Sequence, residues 1–418
     1  MQQIPCETPG ETELTIFQQR RNVLRSRKRT HHTQRLLRGE VNILSQIPRK
    51  SLSHYLHKTA KLSACQVRVR AGQGRKSFEE PVPEKSNRIR MSMMKFRKLG
   101  NTDLTVSEIS LGCSGFWGNA RFPERQAADI IHTAFDAGVN FFDTGHNYCH
   151  FHAEPRLGRI LKPLFSKHDR SQFVLSTKAG TIVPSAPLVF RNRPCKDFSP
   201  DYIEATCAKS IQNLNCEYLD IFQLHGITQD QITPALIDRL SSMKERGMFR
   251  CLGVNSHSAA DLLYIANHPE LFDMVLLDFN VLQLDREPVI RKLAEAGIGV
   301  VAGTVLAQGH LVAGKIGSFK STADLWYLAR ALLKSTGRQF SRNAQPMREA
   351  LATVENLTPA QAAFAYVLAN QDISSCVFGT TKIKNLREIL AASDQSLSAE
   401  VRVAIRNTFE QIPEKISA

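Results

Sequence analysis

Nine cysteines are scattered over 418 residues without a single Cys-x-x-Cys pair. That spacing argues against a disulfide framework and against structural zinc, and it makes a reducing, cytoplasmic setting the expectation. No secretory signal is visible, because Glu7, Glu11 and Glu13 interrupt the first apolar residues. A membrane-spanning run is missing as well. The longest uncharged stretch, residues 296–314, contains five glycines besides Thr304, Gln308 and His310, which suits a strand and its loop better than a lipid-facing helix.

Charge of one sign is also missing from most of the chain, although the total is +15. Residues 1–93 hold 19 Lys and Arg against 7 Asp and Glu, whereas residues 94–418 hold 35 against 32. The basic character therefore belongs to an N-terminal extension, and the rest is nearly neutral. That extension has basic clusters such as Arg25 to Arg29, no sustained apolar period, and only Phe17, Tyr55 and Phe78 as aromatics. Its composition predicts a solvated, disordered arm. Stacking residues are too sparse for a nucleic-acid arm, and the early acids speak against a transit peptide. A start at Met91, Met93 or Met94 would remove the arm altogether, and the N-terminal mass of the native protein distinguishes the two.

From Met94 the sequence alternates. Lys95–Gly100 and Leu104–Ser110 read as a hairpin around Asn101-Thr102-Asp103. Strand-like runs follow at Ile109–Cys113, Asn140–Asp143, Phe173–Thr177, Leu219–Leu224, Cys251–Val254, Met274–Phe279, Gly299–Ala302 and Ser375–Phe378. Helical periodicity separates them. It runs from Ala127 to Phe135, over Tyr202–Leu214 after Ser199-Pro200, and over Pro234–Met243. It recurs over Leu262–Ala266, Val289–Ala296 and Ala360–Leu368, the last after Thr358-Pro359. Eight strand–helix units over about 300 residues predict a closed (β/α)8 TIM barrel. An open doubly wound sheet is the rival. The string Gly297-x-Gly299-x-x-Ala302 imitates its phosphate fingerprint but follows a helix and opens a strand, the reverse of the required order. Residues 315–356 form a long connection, with Trp326 and Tyr327, that reads as an insertion beside the barrel mouth.

Reactive residues of such barrels sit at the C-terminal ends of strands. Those ends carry Asp143 with Tyr148 nearby, then Lys178, then His225. A phenol has a pKa of about 10 and needs help to exchange protons at neutral pH. An adjacent ammonium favours its ionised form, and a carboxylate holds the ammonium in place. A histidine orients a substrate carbonyl and stabilises charge growing on its oxygen.

The stretch Phe141 to Tyr148, continued by Glu154-Pro155-Arg156-Leu157-Gly158, resembles the signature of the aldo-keto reductases. Ser176-Thr177-Lys178 and Asp220 to His225 are similar to that family's second and third signatures. Phe96 to Gly100, with Leu104 to Ser107, resembles its N-terminal hairpin, which closes the barrel bottom. The resemblance begins near Met94 and implies reduction of an aldehyde or ketone by hydride from a nicotinamide cofactor. In it Tyr148 is the general acid, Lys178 and Asp143 assist, and His225 orients the carbonyl. Asn255 and Asn280 match positions near the nicotinamide, and Leu306, Gln308 and Gly309 match the loop after the seventh strand. There Gly303-Thr304-Val305 replaces the family's usual aromatic-Ser-Pro. Gly379, Thr380, Thr381 and Lys382, with Asn385 and Glu388, resemble the segment gripping the adenosine 2′-phosphate. NADPH is thereby favoured, with NADH as the alternative.

Two rival functions share the fold. His146, Cys149, His150 and His152 crowd around Tyr148, and a His-x-His pair suits a metal-dependent hydrolase. The third class is a nicotinamide-binding regulatory subunit with little turnover. The expected partner is a small carbonyl compound, with neither nucleic acid nor membrane. Trp117, Trp326 and Tyr327 are candidates for lining the pocket, and the loops that carry them set the substrate.

Overall fold

A hairpin of β1 (Phe96–Lys98) and β2 (Thr105–Ser107) leads into a ring of eight strands. The computed structural model describes residues 94–182, 195–312 and 335–413, and of 335–342 the backbone alone. The ring consists of β3 (Ile109–Gly112), β4 (Phe141–Asp143), β5 (Val174–Ala179), β8 (Leu219–His225), β9 (Phe249–Asn255), β10 (Met274–Asp278), β11 (Gly299–Gly303) and β12 (Ser375–Phe378). Every neighbouring pair is parallel, and β12 pairs with β3 to close the barrel. Each expected strand is present, in the expected order. A small antiparallel pair, β6 (Thr181–Ile182) and β7 (Cys195–Lys196), stands just beyond the end of β5.

The helices form the outer layer: α1 (Glu124–Asp136), α2 (Ala153–Phe165), α3 (Pro200–Leu214), α4 (Pro234–Glu245) and α5 (Ala259–Ala266). They continue with α6 (Glu287–Glu295), α7 (Ser335–Ala352), α8 (Pro359–Leu368), α9 (Ile383–Leu390) and α10 (Ala399–Glu410). Local chemistry starts several of them, although Ser199, before Pro200 at the start of α3, makes no side-chain cap hydrogen bond. Thr233 accepts from the Leu236 amide, and Thr358 forms a capping box with Gln361, each with proline at the first helical position. Helix α2 is harder to read because Pro155, Gly158 and Pro163 obscure its period. Gly158 answers a packing need: a Cβ there would lie 2.1 Å from the Asn213 carbonyl oxygen of α3. Within the stretch 315–356, residues 335–352 are α7, which packs on α8 and α10. Trp326 and Tyr327 lie outside the described residues, as does the whole of 1–93.

One inner cluster plugs the barrel bottom. Leu99, Leu104 and Val106 from the hairpin meet Phe141, Val174, Ile221, Cys251, Met274 and Val301 from the strands. Gly100, at φ +53°, turns the hairpin so closely over the α6–β11 connection that a Cβ would sit 2.4 Å from the Gly297 oxygen. Gly297, itself at φ +81°, ends that connection and lets β11 begin at Gly299. The glycine string is thus a helix stop and strand entry. With the bottom sealed, the open C-terminal mouth is the end left for chemistry.

Candidate active site

Strand ends bring Asp143, Lys178 and His225 together, and the loop after β4 folds Tyr148 over them. Lys178, 1% exposed, donates to Asp143 Oδ2 at 2.5 Å and to the Thr144 carbonyl at 2.8 Å. Its Nζ lies 5.4 Å from the centre of the Tyr148 ring. The His225 ring meets Tyr148 edge to face, with centres 5.8 Å apart. The expected tetrad is therefore a connected chain, Asp143 to Lys178 to Tyr148 to His225.

The electrostatics follow from that geometry. Burial alone would lower Lys178, but Asp143 and the Tyr148 oxygen outweigh it, and the ammonium is held above its ordinary value. Burial raises the Tyr148 phenol against the pull of Lys178, so the hydroxyl keeps its proton throughout the neutral range. Burial, then the charges of Lys178, Lys196 and His257, push His225 down to about 3. His225 is neutral at physiological pH, and its buried Nδ1 has no hydrogen-bond partner.

Residues that lie inside the signature stretches, but to which the sequence analysis gave no role, hold this arrangement. Gln223, wholly buried one turn of the strand before His225, donates to Asp143 Oδ1 at 2.9 Å and to Ser176 Oγ at 2.6 Å. Glu154, wholly buried on α2, accepts from Thr177 Oγ1 at 2.6 Å and from Asn213 Nδ2 at 3.0 Å. Its second oxygen also faces His146 Nδ1 at 3.3 Å. Because His146 precedes Tyr148 and Thr177 precedes Lys178, this one carboxylate ties both segments together from behind. The signal in the sequence was a charged residue inside an otherwise apolar helix face.

The matched cofactor positions line the mouth across β9 to β12. Asn255 donates to the Leu276 carbonyl at 3.2 Å. Asn280 donates to Gln283 Oε1 at 2.7 Å and to the Thr304 carbonyl at 3.2 Å, tying the ends of β10 and β11. After β11 the backbone turns left-handed at Thr304 (φ 51°), Ala307 (47°) and Gln308 (58°), before Gly309 at 97° and beside the half-buried Leu306. Non-glycine residues occupy that region at a cost, and such strain concentrates at ligand clamps. Thr304 Oγ1 is buried there without a partner. Gly379 abuts the start of the barrel so tightly that a Cβ would lie 3.1 Å from the Gly112 oxygen. The Lys382 amide donates to Thr380 Oγ1 at 3.1 Å, the Thr381 carbonyl accepts from Gln126, and the Lys382 side chain is exposed at the start of α9. Asn385 is half-buried on α9, while the Glu388 carboxylate accepts from Thr358 Oγ1 at 2.8 Å and so holds the threonine that caps α8. An orphaned hydroxyl, a strained clamp and a glycine contact together suit an extended dinucleotide.

His150 and His152 are both exposed. Among the described residues, no group of three or more His, Cys, Asp or Glu is placed to hold a metal ion. No described helix is long and apolar enough to cross a membrane. Trp117 is 1% exposed and packs edge-on against Phe122 at 5.4 Å, a core residue rather than a pocket wall.

Known proteins are similar to this chain in sequence and in fold. The chain is 27% identical over 322 residues to probable aldo-keto reductase 1 of Glycine max, covering 76% of this chain and 88% of that protein. It is 27% identical over 311 residues to L-galactose dehydrogenase of Arabidopsis thaliana, covering 72% and 89%. The solved holo form of aldo-keto reductase AKR11C1 from Bacillus halodurans superposes with a TM-score of 0.60 at 24% identity, covering 77% of this chain and all of that one. At that identity the likeness is one of fold. The profile of the Aldo/keto reductase family matches residues 108–408, every strand of the barrel included. The chain belongs to the aldo/keto reductase family of oxidoreductases.

Proposed function

We propose that this protein reduces an aldehyde or ketone to an alcohol, with NADPH as the hydride donor and Tyr148 as the general acid. The observation carrying the reading is the buried Asp143–Lys178 pair beneath a protonated Tyr148, with a neutral His225 beside it. A reduced nicotinamide bound across Asn255, Asn280 and the 304–309 loop would supply the hydride. The protein's own groups do the rest. His225 orients the carbonyl oxygen toward the mouth centre. As negative charge grows on that oxygen, Tyr148 gives up its hydroxyl proton, and the Lys178 ammonium stabilises the phenolate left behind. Asp143 keeps Lys178 in place and charged; Gln223 fixes Asp143 by its other oxygen. The same groups run in reverse serve alcohol oxidation, the direction in the name of the L-galactose dehydrogenase relative.

Lys382 supports NADPH over NADH. It stands at the start of α9, whose first amides have no side-chain cap, so a positive charge and open N–H groups coincide. The test is cofactor oxidation with a panel of aldehydes and ketones. Turnover with NADPH is expected for the wild type, with at least a hundredfold loss in Tyr148→Phe, within the range of a general acid, and cofactor binding retained. An unchanged rate in Tyr148→Phe overturns the role given to Tyr148. Lys382→Met should weaken NADPH about tenfold while leaving NADH alone, about one charge-assisted contact.

A further inference from the structure

Lys196 is a cation the proposed mechanism does not use. It ends β7, and its Nζ donates to Thr181 Oγ1 at 2.8 Å and to the backbone carbonyl of His225. The placement is fixed from below: the Asp197 amide donates to the Gly180 carbonyl at 3.1 Å, and the buried Phe198 ring lies over Gly180. Gly226 leaves room for the ammonium, since a Cβ there would be 3.0 Å from Nζ. The side chain is therefore pinned to the end of β8, directly behind the histidine assigned to the carbonyl.

Among the described residues its charge has no ion-pair partner. Lys178 is matched by Asp143, whereas no carboxylate lies within ion-pair distance of Lys196 among the described residues. The nearest acid in sequence, Asp197, accepts from the Ser199 amide at 2.9 Å. Lys196 is an exposed residue, yet cover at the strand end is enough to lower its ammonium, and its charge in turn reaches the His225 ring. Among the described residues two of its three N–H groups meet neutral oxygens, Thr181 Oγ1 and the His225 carbonyl.

The barrel order decides which ligand. Around the ring the strands run β3, β4, β5, β8, β9, β10, β11, β12, so β5 and β8 lie opposite β11 and β12. The segments matched to the dinucleotide follow β9 to β12. By strand order Lys196 lies across the mouth from the loops after β11 and β12, on the side that carries Tyr148 and His225.

We propose that Lys196 is an anion subsite of the substrate pocket, which selects carbonyl compounds bearing a carboxylate or phosphate a few bonds from the reacting carbon. The inference rests on the carbonyl-reductase reading for its consequence but not for its binding site. Two matched pairs test it: succinic semialdehyde against butanal, and glyceraldehyde 3-phosphate against glyceraldehyde. In the wild type kcat/KM should favour the anionic member of at least one pair by about tenfold or more, the worth of one charge-assisted hydrogen bond. The pair that shows it tells carboxylate from phosphate. In Lys196→Met that preference should collapse, chiefly through KM, and Lys196→Arg should restore most of it. No preference in either pair, or a preference that survives in Lys196→Met, overturns the proposal. If no aldehyde is reduced, the carbonyl-reductase reading fails separately. Calorimetric titration with 4-hydroxybutanoate, glycerol 3-phosphate and 1-butanol then decides the subsite: an anion that binds the wild type and not Lys196→Met supports it, and no such difference overturns it.

Discussion

The two ends of the barrel each bury a carboxylate against cations, and they use it differently. At the bottom Asp220, wholly buried near the start of β8, takes Arg170 at 2.7 Å and the Leu175 amide at 2.9 Å on one oxygen. Its other oxygen takes Arg250 at 3.0 Å. Arg170 also stacks on Tyr218 at 4.4 Å. Both carboxylate oxygens are engaged, and nothing there faces an open site. At the top Asp143 holds Lys178 with equal firmness, yet Gln223 Oε1, His225 Nδ1 and Thr304 Oγ1 are buried without partners. Of the eight non-glycine residues with left-handed φ among the described residues, six lie in the loops after β4 and β11; at the turn into β8 the position falls to Asn215, which tolerates it. The bottom carboxylate is fully engaged, although Arg170 Nε is buried there without a partner, while the top leaves three polar atoms unpaired and concentrates the strained backbone. Such a difference between the ends is expected where one carries chemistry.

Four experiments break or sharpen that contrast. The largest effect is expected at the top, in activity alone: Tyr148→Phe should lower kcat by about a thousandfold, roughly 4 kcal/mol of barrier, and leave the melting temperature nearly unchanged. The reciprocal case is Asp220→Ala, which strands two guanidinium groups and should cost about 3 kcal/mol in a denaturant melt. Its kcat per folded molecule should stay within about twofold, because Asp220 is at the far end from the mouth. A large loss of kcat there would erase the distinction between the ends.

Glu154→Gln should fall between the two. Loss of the charge on three hydrogen bonds should cost about 2 kcal/mol of stability. The slackened Tyr148 and Lys178 segments should cost kcat several-fold with KM little changed. A stability loss with kcat intact would make Glu154 purely structural.

The last effect is one of pH. His225 is neutral in the folded chain down to about 3, against an ordinary value of 6.5. Between those values the unfolded chain takes up a proton that the folded chain refuses, so stability present above pH 6.5 is lost as the pH falls toward 3. His225→Asn should flatten the fall of melting temperature across pH 6 to 4. The raised Tyr148 places the alkaline loss of reduction rate at pH 10 or above, and a loss near pH 7 would contradict a protonated general acid.

Local pattern made most of this legible. Eight strands and six helices announce themselves because β-branched and apolar runs recur between helical periods, and Ser-Pro or Thr-Pro steps mark some of the helix starts. The tetrad was legible because a barrel places reactive groups at strand ends, whose positions follow from the runs. Helix α2 was hidden by two prolines and a glycine, and Gly158 is explained only by the Asn213 carbonyl it meets. Trp117 was ambiguous because an aromatic after a strand suits core and pocket alike; only its burial against Phe122 decides. Glu388 matched a cofactor motif, but the position of Thr358 turns its carboxylate to a helix cap.

By itself, then, the sequence determined the barrel, the strand-end residues and the near-neutral body, because periodicity, capping and composition act within a few residues along the chain. Only the tertiary structure decided charge states and partnerships. A phenol kept protonated, a histidine kept neutral, a lysine matched by Asp143 and another left unmatched all depend on burial and on residues tens of positions away. Desolvation and Coulomb interactions are set by distance in space, which the linear order of residues does not contain.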